Sequence, residues 1–421
     1  MNFPDRLLTL ADKAEEALAS QFAAISRLSH KNTAKVMEAF AEHRVDAACV
    51  AGSSGYGYDD RGRDTLDRIF ADVMGAEAAF ARHSIVNGTQ ALTIGLFGLL
   101  RPGDVMLSIA GKPYDTLEEV IGIAGEAGNG SLADFGVSYD QIELVDGKTL
   151  DLAAIDAYLR SPRGEKVKVC FIQRSKGYLN RRTLTVAEIG EAVKVVKAAR
   201  PDAFVVVDNC YGEFTEEIEP PAVGVDLAIG SLIKNPGGGM AETGGYMAGT
   251  ARAVELCSYR LTCPGIGLEV GATLGENKNM YRGLFYAPHT VAEALKTAHF
   301  AAYIFRELGF EVEPSPEELR SDIIQTVKTG SAAALCAFCR GIQAGSPVDA
   351  YVTPEPWAMP GYQDEVIMAA GTFVQGASIE LSADGPLKPP YTAFFQGGLT
   401  FESGRIGVLS AANEILKIQN T

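Results

Sequence analysis

Between residues 81 and 232 short apolar runs alternate with stretches of helical spacing, and this alternation restricts the fold more than any other property of the chain. Residues 84–86, 105–110, 142–145, 167–173, 204–207 and 227–232 read as strands, and residues 89–100, a segment from Thr116, residues 152–159 and residues 187–199 read as the helices between them. Parallel strands need a crossover long enough to hold a helix, so this succession predicts an α/β fold with a mostly parallel sheet covered by helices. The run Phe204-Val-Val-Val207 is apolar without alternation, the mark of a strand buried on both faces.

Outside that region the pattern differs. Residues 5–44 show helical spacing, with Leu7, Leu8, Leu10, Ala14 and Leu18 on one face. The loop Ala51-Gly-Ser-Ser-Gly-Tyr-Gly-Tyr-Asp-Asp60 interrupts it, and a helix is expected over 65–79. Arg101-Pro-Gly-Asp104 and Arg160-Ser-Pro-Arg-Gly-Glu165 are turns. After Gly283 the spacing predicts a long helix over 288–308, a short strand at 310–313 and a helix-start signal at Pro314-Ser-Pro-Glu317. A strand at 323–328 and a helix at 332–344 follow, then strands between Pro-rich turns. At 421 residues the chain exceeds one small core. We expect an N-terminal helical segment (1–50), a large domain (51–285) and a smaller α+β C-terminal domain (286–421).

A net charge of −16 opposes association with phosphate backbones or anionic membranes, so neither nucleic acid nor a membrane is an expected partner. No apolar stretch reaches spanning length, and no signal-like segment is seen at the start. Seven widely spaced cysteines suit a reducing compartment, and the cytoplasm is the expected location.

Two polar residues stand at the ends of buried runs. Asp208 closes Ala203-Phe-Val-Val-Val-Asp208, and Lys234 follows Leu227-Ala-Ile-Gly-Ser-Leu-Ile into the glycine-rich run 235–245. An acid at the carboxyl end of a parallel strand lies where α/β sheets bind ligands. Together the two match what pyridoxal phosphate requires: an amine for its aldehyde and a carboxylate for its ring nitrogen. Ahead of them, Asn87-Gly-Thr-Gln90 opens a helix whose N–H groups suit a phosphate, with Gly88 and Thr89 nearest, and Tyr114 follows the next strand where its ring could lie on a cofactor. Ser231, three residues before the lysine, offers a hydroxyl.

These features resemble the fold-type I pyridoxal-phosphate enzymes of cysteine and methionine metabolism, most closely the aluminium-resistance or methionine γ-lyase-like branch, which includes cystathionine β-lyase-like proteins. The motifs that carry the resemblance are Gly55-Tyr-Gly-Tyr-Asp-Asp-Arg-Gly-Arg63, Asp208-Asn-Cys-Tyr-Gly-Glu-Phe214, Lys234-Asn-Pro-Gly-Gly-Gly239, and Ile379-Glu-Leu-Ser-Ala-Asp-Gly-Pro386 with Gln396-Gly-Gly-Leu399. The resemblance implies the transferase-like fold of aspartate aminotransferase type I with pyridoxal 5'-phosphate as cofactor. It further implies that Lys234 forms the Schiff base, Asp208 pairs with the pyridinium nitrogen, and Tyr114 stacks on the ring. Gly88, Thr89 and Ser231 would hold the phosphate. A Tyr-x-Arg segment of the relatives crosses to the neighbouring subunit's phosphate, and Tyr56, Tyr58, Arg61 and Arg63 are its counterparts here. This implies a homodimer with shared sites, and a tetramer as the expected assembly.

The implied activity is carbon–sulfur bond cleavage by β- or γ-elimination on a sulfur amino acid such as cystathionine, cysteine or methionine. Arg405 and Lys388 are both candidates for the substrate carboxylate. Ile233 and Asn235 stand beside the lysine where lyases carry a threonine and a tyrosine. Transamination, aldol cleavage, or a catalytically silent cofactor-binding regulator are the alternatives. No metal is expected, because Cys336-Ala-Phe-Cys339 has no second ligand pair and lies in helix-forming sequence.

Overall fold

The computed structural model describes residues 2–179, 181–359 and 364–419. Among them the strands are β1 (Ala78–Arg82), β2 (Val105–Ser108), β3 (Ser138–Gln141), β4 (Val167–Gln173), β5 (Phe204–Asp208), β6 (Leu227–Ser231), β7 (Gly245–Gly249), β8 (Glu311–Glu313), β9 (Gln325–Lys328), β10 (Val366–Ala369), β11 (Ser382–Pro386) and β12 (Thr392–Gln396). The helices are α1 (Asp5–Ala17), α2 (Ala19–Glu42), α3 (Arg61–Met74), α4 (Gly88–Leu99), α5 (Asp115–Ile121), α6 (Leu152–Leu159), α7 (Val186–Ala199), α8 (Ala251–Leu261), α9 (Asn277–Glu307), α10 (Ala332–Ala344) and α11 (Phe401–Gln419).

One sheet has the order β1-β7-β6-β5-β4-β2-β3. β2 through β6 pair in parallel, while β7 runs antiparallel between β1 and β6. The fold is α/β with a mostly parallel sheet. Side chains along β4 and β5 enter two different cores. Val169, Phe171 and Val206 pack with Ala91 and Leu96 of α4 and Val254 of α8. Cys170, Ile172, Val205 and Val207 pack with Ile155 and Leu159 of α6 and Ile189 and Val196 of α7. Burial on both faces is why these strands read as unbroken apolar runs, each such side chain contributing about 2 kcal/mol relative to exposure.

The chain divides into two compact units. One comprises residues 34–232 and 240–285 and holds the large sheet; the other comprises the described residues up to 33, residues 233–239 and those from 286 onward. In the second unit five antiparallel strands follow the order β10-β11-β12-β9-β8. Its core gathers Leu7 and Ala14 of α1, Phe300 and Ile304 of α9, Phe338 of α10 and Val408 of α11 against Val327 and Phe395 of the sheet. Cys339 belongs to that core as well.

Several elements differ from the sequence expectation. The first strand is Ala78–Arg82 and not 84–86: its alanines extend the helical pattern of α3, but Gly75 at φ 65° ends that helix and pairing with β7 makes the next segment a strand. Helix α3 itself begins at Arg61, four residues ahead of the predicted start, because Asp60 caps it through the Arg63 N–H. β3 is the polar segment Ser138–Gln141 at the sheet edge, and the apolar run at 142–145 continues beyond it, with Leu144 buried. β7 escaped the periodicity because glycines bound it; a Cβ on Gly249 would lie 1.9 Å from the Asp226 carbonyl oxygen. Helix α9 starts at Asn277 and passes through Pro288, which the sequence had placed at a helix start. The signal at Pro314-Ser-Pro-Glu317 makes a turn, with Ser315 N–H donating to Glu318, and no helix follows.

Candidate functional site

Because β4, β5 and β6 are parallel, their carboxyl ends share one edge of the sheet, with Gln173, Asp208 and Ser231 as last residues. Gln173 and Asp208 are register partners. Asp208 is 6% exposed, and its Oδ1 accepts the Cys210 N–H at 3.1 Å. Ser231 is 1% exposed, and its Oγ has no hydrogen-bond partner. A buried hydroxyl left unpaired in this way is costly, and it marks a place where an acceptor belongs.

Helix α4 supplies the complementary group. Asn87 caps it, its Oδ1 accepting the Gln90 N–H at 2.8 Å, which leaves earlier N–H groups of the first turn for a ligand. A Cβ on Gly88 would stand 3.6 Å from both Cys210 Sγ and Ser231 Cβ, so the helix start faces the ends of β5 and β6. Thr89 Oγ1 and Thr116 Oγ1 lie 2.8 Å apart and tie the starts of α4 and α5 together. Tyr114 precedes α5, half-buried, with its ring centroid 5.9 Å from that of Tyr178. Gly88, Thr89, Asp208 and Ser231 thus stand at one edge of this unit, with Tyr114 at the neighbouring helix start.

Lys234 lies three residues beyond Ser231, half-buried, in the segment 233–239 that packs within the other unit. Its carbonyl accepts the Gly237 N–H at 3.3 Å, and Gly238 at φ 53° turns the chain sharply. A Cβ on Gly239 would meet Leu399 Cδ2 at 2.4 Å, and Thr290 Oγ1 donates to the Gly238 carbonyl at 3.2 Å. Close packing thereby accounts for Gly239, and the left-handed backbone for Gly238. Ile233 lies near Gly376, whose hypothetical Cβ would be 3.7 Å from Ile233 Cδ1.

The other predicted site residues are placed as follows. Tyr56 and Tyr58 are 77% and 63% exposed, with rings 5.7 Å apart. Arg61 is exposed and pairs with Asp46 at 2.7 Å. Arg63 is buried, donating to the carbonyls of Gly57 at 2.7 Å and Gly271 at 3.1 Å, so it organises the loop from within. Asp60 anchors the same loop: burial pushes its carboxyl up, but hydrogen bonds from Ser53, Thr273, the Arg63 N–H and Asn277 outweigh this and hold it below the usual range. Arg405 on α11 pairs with Glu15 at 2.7 Å, and Lys388, in the turn after β11, pairs with Asp364 at 2.6 Å.

Sequence reasoning missed Gln173 and Arg174. The Gln173 side chain is buried, with Oε1 unpaired and Nε2 donating to the Ser175 carbonyl at 3.2 Å. Arg174 is fully buried. Gln173 closes the strand run at 167–173, and that polar end was the available signal for it, whereas nothing local marked Arg174.

A mostly parallel sheet covered by helices is a fold found among pyridoxal-phosphate-dependent proteins. The pyridoxal-5'-phosphate dependent protein YhfS from Escherichia coli has this fold, with a TM-score of 0.62 at 15% identity over 93% of this chain and 97% of that one. The chain belongs to the methionine gamma-lyase family, whose profile matches residues 7–416. It is similar to a Clostridium novyi protein described as a carbon-sulfur lyase involved in aluminum resistance, with a TM-score of 0.94 and 49% identity over 98% of this chain and 96% of that one. An uncharacterized Bacillus subtilis (strain 168) protein is 49% identical over 409 residues, 97% of this chain and 96% of that protein. Among the described residues no helix is long and apolar enough to cross a membrane, and no group of three His, Cys, Asp or Glu side chains is placed to hold a metal.

Proposed function

We propose that this chain is a pyridoxal-phosphate-dependent carbon–sulfur lyase that releases a thiol from a sulfur-containing amino acid. The observation that carries the reading is the buried, unpaired Ser231 hydroxyl facing Gly88 at the start of α4, beside the buried Asp208. These residues fit the cofactor: a helix N-terminus and a hydroxyl for a phosphate, and a carboxylate at a strand end for a ring nitrogen. When bound, pyridoxal phosphate supplies an aldehyde that takes an amine and a cationic ring that accepts an electron pair from the substrate Cα.

In this reading the first N–H groups of α4, at Gly88 and Thr89, hold the phosphate together with Ser231 Oγ. Asp208 would keep the ring nitrogen protonated, and Tyr114 would shield the ring from water. Lys234 would hold the cofactor through its Nζ and would serve as the base for the substrate Cα proton. The exposed Tyr56, Tyr58 and Arg61 would complete the phosphate site of a second protomer, so the active form is a homodimer or a higher assembly built from it, and Arg63, the fourth residue of that segment, supports the loop from within. Arg405 and Lys388 are the candidates for the substrate carboxylate, separable because removing the true anchor raises KM more than it lowers kcat.

The test is keto-acid release. Protein reconstituted with pyridoxal phosphate is offered cystathionine, cysteine and methionine, and pyruvate, 2-oxobutyrate and thiol are measured. At least one pair of thiol and keto acid is expected, abolished in Lys234→Ala. Cofactor bound through Lys234 with no keto acid from any of the three overturns the lyase reading.

A further inference from the structure

We infer that Arg174 is a positioning residue for Asp208, acting through Asn209; the inference rests on the reading of Asp208 as the partner of the cofactor ring. Arg174 is the residue after β4, and its N–H donates to the Asp208 carbonyl at 3.1 Å. Its guanidinium reaches residues just beyond the end of β5. Nη1 donates to Asn209 Oδ1 at 2.7 Å, Nη2 to Glu216 Oε1 at 2.7 Å, and Nε to the Leu184 carbonyl at 3.3 Å.

Asn209 is held from its other side as well. Its Nδ2 donates to Glu219 Oε2 and to the Tyr246 hydroxyl, both at 3.2 Å, and that hydroxyl donates to Glu213 Oε1 at 2.9 Å. Arg174, Asn209, Glu213 and Tyr246 are all 0% exposed, and Glu219 is 1% exposed. The cluster therefore joins the end of β4, the end of β5 and the start of β7 in one buried network. Stability is a weak account of it, because apolar side chains of similar volume are often as stabilising as a buried ionic group.

Geometry supplies a better one. Adjacent residues of an extended chain project to opposite sides, so clamping Asn209 in the network aims the neighbouring Asp208 away from it. The backbone just beyond is held in an unfavourable shape, with Tyr211 at φ 74° and Phe214 at φ 62°, which persists where surroundings over-determine it. Two glycines are required by the network itself. A Cβ on Gly212 would lie 2.4 Å from Arg174 Nη1, and one on Gly230 would lie 2.4 Å from Glu213 Oε1. Gly230 is the residue before Ser231, so the same cluster sets the backbone at both strand ends that face Gly88.

The experiment titrates apo-protein with pyridoxal phosphate and records the Kd and the pH midpoint of the visible band. Wild type is compared with Asp208→Ala, Asn209→Ala, Arg174→Met and Arg174→Lys, with circular dichroism to confirm folding. Asn209→Ala and Arg174→Met are expected to weaken cofactor binding about tenfold, the loss of one charge-assisted hydrogen bond, and to move the midpoint in the same direction as Asp208→Ala by a smaller amount. Arg174→Lys recovers part of the shift, because it keeps the charge and loses the fork. If Arg174→Met fails to fold, Asn209→Ala decides, since it leaves the Arg174–Glu216 pair in place. Wild-type Kd and midpoint in folded Asn209→Ala, with both changed in Asp208→Ala, overturn the positioning role and leave the proposed function standing. Failure of wild type to bind pyridoxal phosphate removes both.

Discussion

The loop after Asp208 and the loop from Gly55 to Arg63 both carry dense, distinctive motifs, yet they are built in opposite ways. Residues 208–216 are held through Asn209 by Arg174 and Glu219, with two residues at positive φ and little exposed surface. In the other loop Asp60 and Arg63 are buried anchors, but Tyr56 and Tyr58 stand in solvent. The first is complete within one chain, and the second presents aromatic surface that the chain does not itself cover. A motif can thus encode either side chains packed into the fold or side chains left at its surface, and burial tells the two apart.

The largest expected effect breaks this contrast at its glycines. Gly212→Ala drives a methyl into the buried guanidinium and should cost about 3 kcal/mol by denaturant unfolding. Gly55→Ala has open space within 4 Å and only a φ of 66° to contend with, so about 1 kcal/mol is expected. Equal costs would show that the Asp208 loop is no more constrained than the other. Asp60→Ala comes next: it removes the cap of α3 and the bonds from Ser53 and Thr273, and a loss of about 2 kcal/mol with faster amide exchange over 51–63 is expected.

Acid should act on the two loops in opposite senses. The Asp60 carboxyl is held below its ordinary value in the fold, so its contribution is present above that ordinary value and is lost as pH falls through the lowered one. Burial pushes Glu219 up, against the opposing pull of Arg174 and Lys35. A raised carboxyl contributes fully below its ordinary value and less as pH rises toward the folded one. Amide protection over 209–216 should therefore hold or rise on moving from pH 7 to 5, while the loop at 51–60 loosens only below about pH 4. Glu219→Gln should abolish the first trend, and a decline of both loops together between pH 7 and 5 would contradict it. The smallest effect is that of Tyr56→Ala, which should leave monomer unfolding within about 0.5 kcal/mol of wild type while weakening cofactor retention in the assembled protein.

Much of this architecture was readable along the chain. β4, β5 and β6 came through because burial on both faces leaves unbroken apolar runs, and Asp208 was visible as a polar residue at the end of one of them, whereas Ser231 was read within the run 227–232 and the structure makes it the last residue of β6. β1, β3 and β7 were misplaced or missed for a common reason. Alanine-rich, polar-edge and glycine-bounded strands have no strong periodicity of their own, and are strands because of what pairs with them. Arg174 was illegible for a different reason: its side-chain partners Asn209, Thr215 and Glu216 lie 35 to 42 residues away, and an arginine after a strand resembles any surface cation until those partners surround it.

The sequence by itself determined the α/β order, the acid at the end of β5, the Asn-Gly start of α4 and the family motifs, since each is a local pattern of residue type and spacing. Only the tertiary structure decided that Ser231 is left unpaired opposite Gly88, that Arg405 and Lys388 are held in ion pairs, and that a buried arginine lies beneath the Asp208 loop. Those facts depend on the solvent lost and the partners met when distant segments pack, and no local pattern carries them.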